Sequence, residues 1–177
     1  GAEEKRAFTL VLKGMIAISR ARFPHGVAGA HLDALARYPL WLAGMDYDHG
    51  TGHGVGAYLC VHEGPQRLAR GGDVALQEGM ILSNEPGYYR EGAFGIRIEN
   101  LIAVEKAAPV PGGDARDMLA FETLTWVPID RQLVATDMLT AEERAWLDDY
   151  HNTCRDKIGP LLPEDCAVWF AAATEKL

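Results

Sequence analysis

The chain has 177 residues, 17 Lys and Arg against 25 Asp and Glu, and a formal net charge of −8. That length suits one domain with a real core, and 48% hydrophobic with 24% charged residues is an ordinary globular balance that argues against disorder. No Lys/Arg run of the kind that tracks phosphates occurs, which speaks against nucleic acid as a partner, and no apolar run approaches the ~20 residues of a membrane span.

In chain order, residues 2–22 read as an amphipathic helix with Phe8, Val11, Leu12, Met15, Ile16 and Ile18 on its apolar side. Glu3 and Glu4 suit its first turn, but Gly1 is a weak cap. A domain that opens this way is expected to be a piece of something larger. No signal-peptide pattern precedes it. The cluster Phe23-Pro24-His25-Gly26 breaks the helix, and a second helix is expected over 29–43 with Gly44 as its stop. Residues 46–64 change character: Gly50, Gly52, Gly54 and Gly56 disfavour helix and indicate an extended, closely packed segment running into Tyr58–His62. A loop follows over 65–79. Residues 80–84, 95–104 and 120–128 read as strands, with a Pro/Gly-rich connection at 106–117. Thr140 and Glu143 form a capping box for a helix to about Ile158, and a last helix is expected over 163–175. Helices, then strands, then helices give an α+β arrangement. The three cysteines, Cys60, Cys154 and Cys166, include no Cys-x-x-Cys pair, so a reduced, cytoplasmic setting fits better than a disulfide framework.

The chemistry concentrates in the middle. His49, His53 and His62 are three of the six histidines and fall in one short stretch. Each alone reads as structural, but four alternating glycines beside three imidazoles let backbone approach something closely and suggest a site. Glu85 stands at the end of an apolar run, and Pro86 pushes it into extended geometry. Glu99 follows Arg97 on one strand face, opposite to Ile96 and Ile98. Taken singly, Glu85 is a turn residue and Glu99 a solvent-facing one. Together, one imidazole and two carboxylates make a ligand set for Mn, Fe, Co or Zn. Two close glutamates would repel unless a cation neutralised them, and Arg97 could orient one of them. Three ligands serve a single metal; a two-metal site needs more carboxylates.

The strings HGTGHGVG at 49–56, VHEGP at 61–65, NEPGYY at 84–89, GIRIEN at 95–100 and FETLTWVPI at 121–129 occur in that order, and WLDDYHNTCRDKIGPLL follows at 146–162. With them the chain resembles the M24 metallopeptidases, specifically the aminopeptidase P (Xaa-Pro aminopeptidase) type, over nearly its whole length. The resemblance implies the second half of a pita-bread catalytic domain over 1–129 and a helical C-terminal extension over 130–177. It implies three metal ligands, His53, Glu85 and Glu99, with Glu99 bridging and Glu85 serving also as general base. It gives His49 and His62 substrate-contacting roles and Arg97 a supporting one.

The family binds two divalent metals, Mn or Zn, through five side chains. The two aspartates that complete the set lie upstream of these motifs, and Asp46 and Asp48 do not match them. The resemblance therefore implies a fragment whose missing upstream half would be its partner. The parent would be a cytoplasmic homodimer that releases the N-terminal residue from peptides with proline second; the isolated chain would be inactive. Two alternatives stand beside this reading. One is a prolidase-type dipeptidase, which shares the metal motifs but lacks the tail. The other is a non-catalytic pita-bread module for binding or dimerisation.

Overall fold

A computed structural model describes residues 1–58 and 60–177. Its elements in chain order are α1 (Ala2–Ser19), β1 (Phe23–Pro24), α2 (Gly29–Trp41), β2 (Gly52–His53), β3 (Arg67–Leu68), β4 (Ile81–Asn84), β5 (Gly87–Arg90) and β6 (Phe94–Arg97). After them come β7 (Asn100–Lys106), β8 (Met118–Thr123), α3 (Ala141–Ile158) and α4 (Glu164–Ala173). None of the described helices is long and apolar enough to cross a membrane. The chain divides into two compact units, 10–124 and a second made of 1–9 with 125–177.

In the first unit, α1 buries Val11, Leu12, Met15, Ile16 and Ile18, the stripe its periodicity indicates. The helix stops at Ser19, short of residue 22, because Phe23 precedes a proline, which favours extended backbone. Phe23-Pro24 instead pairs with Leu119-Met118 as the edge of a sheet. After α2 the chain turns through Gly44, whose φ is +72°, a conformation that favours glycine.

The main sheet is antiparallel with order β1-β8-β7-β4. Its core joins Ile18, Phe23, Leu32, Ala36, Leu68, Leu76, Leu82, Ile102, Val104, Leu119 and Phe121. Within the segment read as loop, Arg67-Leu68 pairs with Gly52-His53. Of the segment expected to run into Tyr58–His62, Leu59 lies outside the described residues.

The strand expected over 95–104 is interrupted. Its first part, β6, pairs with β5, and its second part, β7, pairs with β4 and β8. Pro86 has no N–H to donate to a ladder, and the Ile98 N–H donates to Pro86 O across the gap at 3.3 Å. The pairing on either side keeps one register, Asn84↔Asn100 before the gap and Gly87↔Arg97 after it. Counting inward from both pairs puts Glu85 opposite Glu99.

The second unit is helical. Thr140 Oγ1 accepts the Glu143 N–H at 3.2 Å while the Glu143 carboxylate accepts the Thr140 N–H at 2.8 Å, so the capping box forms as read. Leu147, Tyr150, His151, Cys154 and Phe170 are buried. Tyr150 stacks on Trp146 with ring centroids 5.3 Å apart, and its hydroxyl donates to Val127 O at 2.9 Å.

Candidate metal centre

The histidine segment is fastened from below. Arg37, on α2, is buried and spreads its donors over the loop. Nε–H donates to Asp33 Oδ2 at 2.7 Å, Nη1 to Asp46 Oδ1 at 2.8 Å and to Tyr47 O at 2.6 Å, and Nη2 to His49 O at 2.7 Å. Its guanidinium also lies 4.0 Å from the Tyr47 ring centroid. Burial works against the Asp46 carboxylate, yet hydrogen bonds from Trp41 and Arg37 hold its pKa at about 2. Burial pushes the Tyr47 phenol up to about 12. Asp46 is thus committed to holding the loop.

Thr51 links this network to the carboxylates. Its hydroxyl donates to Asp33 Oδ1 at 2.6 Å, and its carbonyl accepts the Glu85 N–H at 2.7 Å. Gly52 and Gly54 show why the glycines alternate here. A Cβ on Gly52 would sit 1.9 Å from Ser83 O, and one on Gly54 would sit 2.0 Å from Glu63 O.

The hydrogen bonds of the two inner histidines fix their tautomers. His53 Nδ1 lies 2.9 Å from Gly54 O, and a carbonyl only accepts, so Nδ1 carries a proton and Nε2 is the nitrogen that the neutral ring would offer a metal. His49 Nδ1 likewise donates to Gly50 O at 2.7 Å, which leaves His49 Nε2 to accept from the Tyr89 hydroxyl at 2.9 Å. His62 packs its ring on His53, with centroids 3.9 Å apart.

Glu85 is buried and Glu99 exposed, yet one ligand atom from each of His53, Glu85 and Glu99 lies within 4.8 Å of the others. His53 Nε2 stands 3.4 Å from Glu85 Oε1. Carboxylates facing each other across strands repel, and a divalent cation removes that repulsion. Zinc, for example, takes imidazole and carboxylate donors at about 2.0–2.2 Å, so a small side-chain closure would bring the trio onto a shared ion. The donor set therefore fits a metal.

A cavity of about 330 Å³ opens beside the trio, lined by His49, His53, His62, Glu85 and Arg97 among others. All six residues singled out in the sequence therefore come together here, five around the cavity and Glu99 through its carboxylate.

Two further residues escaped the sequence reading. Tyr89 joins His49 to Arg97: Arg97 Nε–H donates to the Tyr89 oxygen at 3.0 Å. Tyr89 falls on the Glu85 face by the strand period of two, a signal that was present in NEPGYY. Ser83 is fully buried; its hydroxyl accepts the His53 N–H at 2.9 Å and donates to Glu85 Oε1 at 2.9 Å. No local pattern marks it. Arg97 Nε lies 3.6 Å from Glu85 Oε2, so the carboxylate has a partner on either side.

Comparison with known proteins places this arrangement. Residues 1–106 match the model of metallopeptidase family M24, and residues 117–177 match that of the C-terminal region of peptidase M24. The chain belongs to metallopeptidase family M24, and its fold is the second half of that family's pita-bread architecture followed by C-terminal helices.

Within the family its similarity is to the aminopeptidase P type. It is 46% identical over 177 residues to aminopeptidase P1 of Arabidopsis thaliana, covering 98% of this chain and 27% of that protein. A probable Xaa-Pro aminopeptidase P of Talaromyces stipitatus is 51% identical over 180 residues, with the same coverage of 98% and 27%. Among solved structures, the X-prolyl aminopeptidase of Caenorhabditis elegans, described as a cytosolic enzyme with a di-nuclear active site, superposes with a TM-score of 0.93 at 40% identity. That match covers 100% of this chain and 29% of the other. The prolidase of Pyrococcus horikoshii matches with a TM-score of 0.52 at 34% identity, over 58% of this chain and 29% of its own. The chain spans about a quarter, 27%, of the curated relatives it matches.

Proposed function

We propose that this chain supplies three ligands, His53, Glu85 and Glu99, to the two-metal centre of a cytoplasmic Xaa-Pro aminopeptidase, and that residues 1–129 and 130–177 are its catalytic half-domain and helical extension. The observation that carries the reading is the register that faces Glu85 with Glu99 beside a histidine whose Nδ1 donates to Gly54 O and whose Nε2 faces Glu85. The aminopeptidase type is favoured over a prolidase because the likeness to the C. elegans enzyme extends over the C-terminal helices, whereas the prolidase likeness stops at 58% of the chain.

Two divalent cations, Mn or Zn by donor preference, would supply Lewis acidity and an activated water. The chain's own groups do the rest. Glu99, opposite Glu85, would help hold the ions together with Glu85 and His53. The Glu85 carboxylate accepts the proton of the attacking water. His49 and His62, at the cavity wall, contact the peptide and steady charge developing on the carbonyl before proline. Arg97 holds Glu85 from one side and, through Tyr89, sets the His49 ring. Two carboxylates contributed by an upstream half would complete the ligand set, so the chain alone is inactive and binds metal weakly.

With that upstream half present, Glu99→Ala abolishes turnover of an Xaa-Pro peptide. Glu85→Gln keeps the fold, read by circular dichroism, but lowers kcat by about 100-fold or more, the scale of a lost general base. Near-normal turnover by either variant contradicts the assignment.

A further inference from the structure

Resting on the metal-ligand reading above, we propose that Ser83 is a positioning residue whose single hydroxyl locks His53 and Glu85 into the register at which their ligand atoms converge.

Residues 51–55 run against 81–85, yet that pairing is not a regular ladder. Glu85 N–H donates to Thr51 O at 2.7 Å and Val55 N–H to Ile81 O at 3.1 Å. Between them the His53 N–H donates to the Ser83 side chain, Oγ, at 2.9 Å. The side chain of Ser83 thus offers an acceptor to the backbone of the residue that carries the imidazole. A hydroxyl has one proton to give and lone pairs to receive. Having accepted from His53, Ser83 Oγ gives its proton to Glu85 Oε1 at 2.9 Å. That is the oxygen 3.4 Å from His53 Nε2.

The other restraint on Glu85 is weaker in kind. Arg97 reaches Oε2 only at 3.6 Å and its side chain is 48% exposed, whereas Ser83 is 0% exposed. The close approach that makes this possible depends on Gly52, where any side chain would strike Ser83 O. Ser83 thus ties backbone and carboxylate of two proposed ligands through one oxygen, and it binds neither metal nor substrate itself.

The test is Mn²⁺ titration of the purified 177-residue chain combined with the upstream half, with unbound Mn²⁺ read by electron paramagnetic resonance, on wild type, Ser83→Ala, Ser83→Thr and Thr174→Val. Thr174 is the control, a buried hydroxyl of the helical unit that donates to Phe170 O at 2.7 Å. Removing the Ser83 hydroxyl raises the Mn²⁺ Kd about 10- to 100-fold, the usual loss when a ligand's supporting partner is removed. Ser83→Thr, which keeps the hydroxyl, restores wild-type affinity whatever its melting temperature. Thr174→Val lowers the melting temperature and leaves Kd unchanged. Wild-type affinity in Ser83→Ala, or equal weakening in Ser83→Ala and Thr174→Val, overturns the proposal while leaving the metal reading intact. Failure of the wild-type combination to take up Mn²⁺ at all overturns both.

Discussion

At the scale of single residues, the proposed division of labour among the histidines rests on which nitrogen each has to offer. His53 Nδ1–H is spent on Gly54 O and its Nε2 faces Glu85, whereas His49 Nε2 is already engaged by Tyr89. His53→Ala therefore lowers metal content, while His49→Ala and His62→Ala lower turnover and leave metal content near wild type. Metal analysis of the three purified variants, each combined with the upstream half, reads this directly; equal metal loss in all three refutes the division. His53, Glu85 and Glu99 were legible because their residue types and motifs are local. Ser83 and Tyr89 were not singled out, because a serine at a strand end and one tyrosine of a pair are common, and only the fold shows what their hydroxyls touch.

At the scale of elements, the site depends on the close approach of β2 to β4. Gly52→Ala places a methyl 1.9 Å from Ser83 O, a backbone atom that cannot swing aside. Such overpacking costs about 1–3 kcal/mol, seen as a lower urea midpoint with an unchanged m-value. An unchanged midpoint would mean the two strands can separate freely.

The helices were read to within a few residues of their ends, and the capping box at Thr140 forms as expected, since helix signals are local. The strand over 95–104 was read as unbroken because the interruption arises on its partner. Pro86, twelve residues before Ile98, withholds the N–H the ladder would need. The pairing of Glu85 with Glu99 follows from hairpin register, which a pattern along one strand does not encode.

The α3 helix carries its own pH dependence. Burial, then the nearby charges of Arg131 and Arg155, lowers the pKa of His151 below its usual value, and Nε2 accepts the Ile129 N–H at 3.1 Å. A histidine depressed in the folded state contributes stability that is present above the unfolded pKa of about 6.5 and is lost as pH falls through the folded value. The loss is at most ~1.4 kcal/mol per pH unit, one proton's worth. Urea unfolding between pH 7 and 5 gives a shallower slope for His151→Gln than for wild type; parallel slopes would exclude His151 as the source.

At the scale of the whole molecule, the resemblance to aminopeptidase P and the α+β fold were both readable from the sequence, and family membership agrees with them. What composition and motifs did not contain is the rest of the centre. Three donors are one histidine and two carboxylates, and the proposal needs two more carboxylates from an upstream half. The most direct measurement is to titrate Mn²⁺ into the 177-residue chain alone and into the chain combined with that half, and to assay an Xaa-Pro peptide in both. The account predicts weak binding without turnover for the chain alone, and two bound ions with turnover only for the combination. Two tightly bound ions with turnover by the chain alone, or no gain on combination, would contradict it.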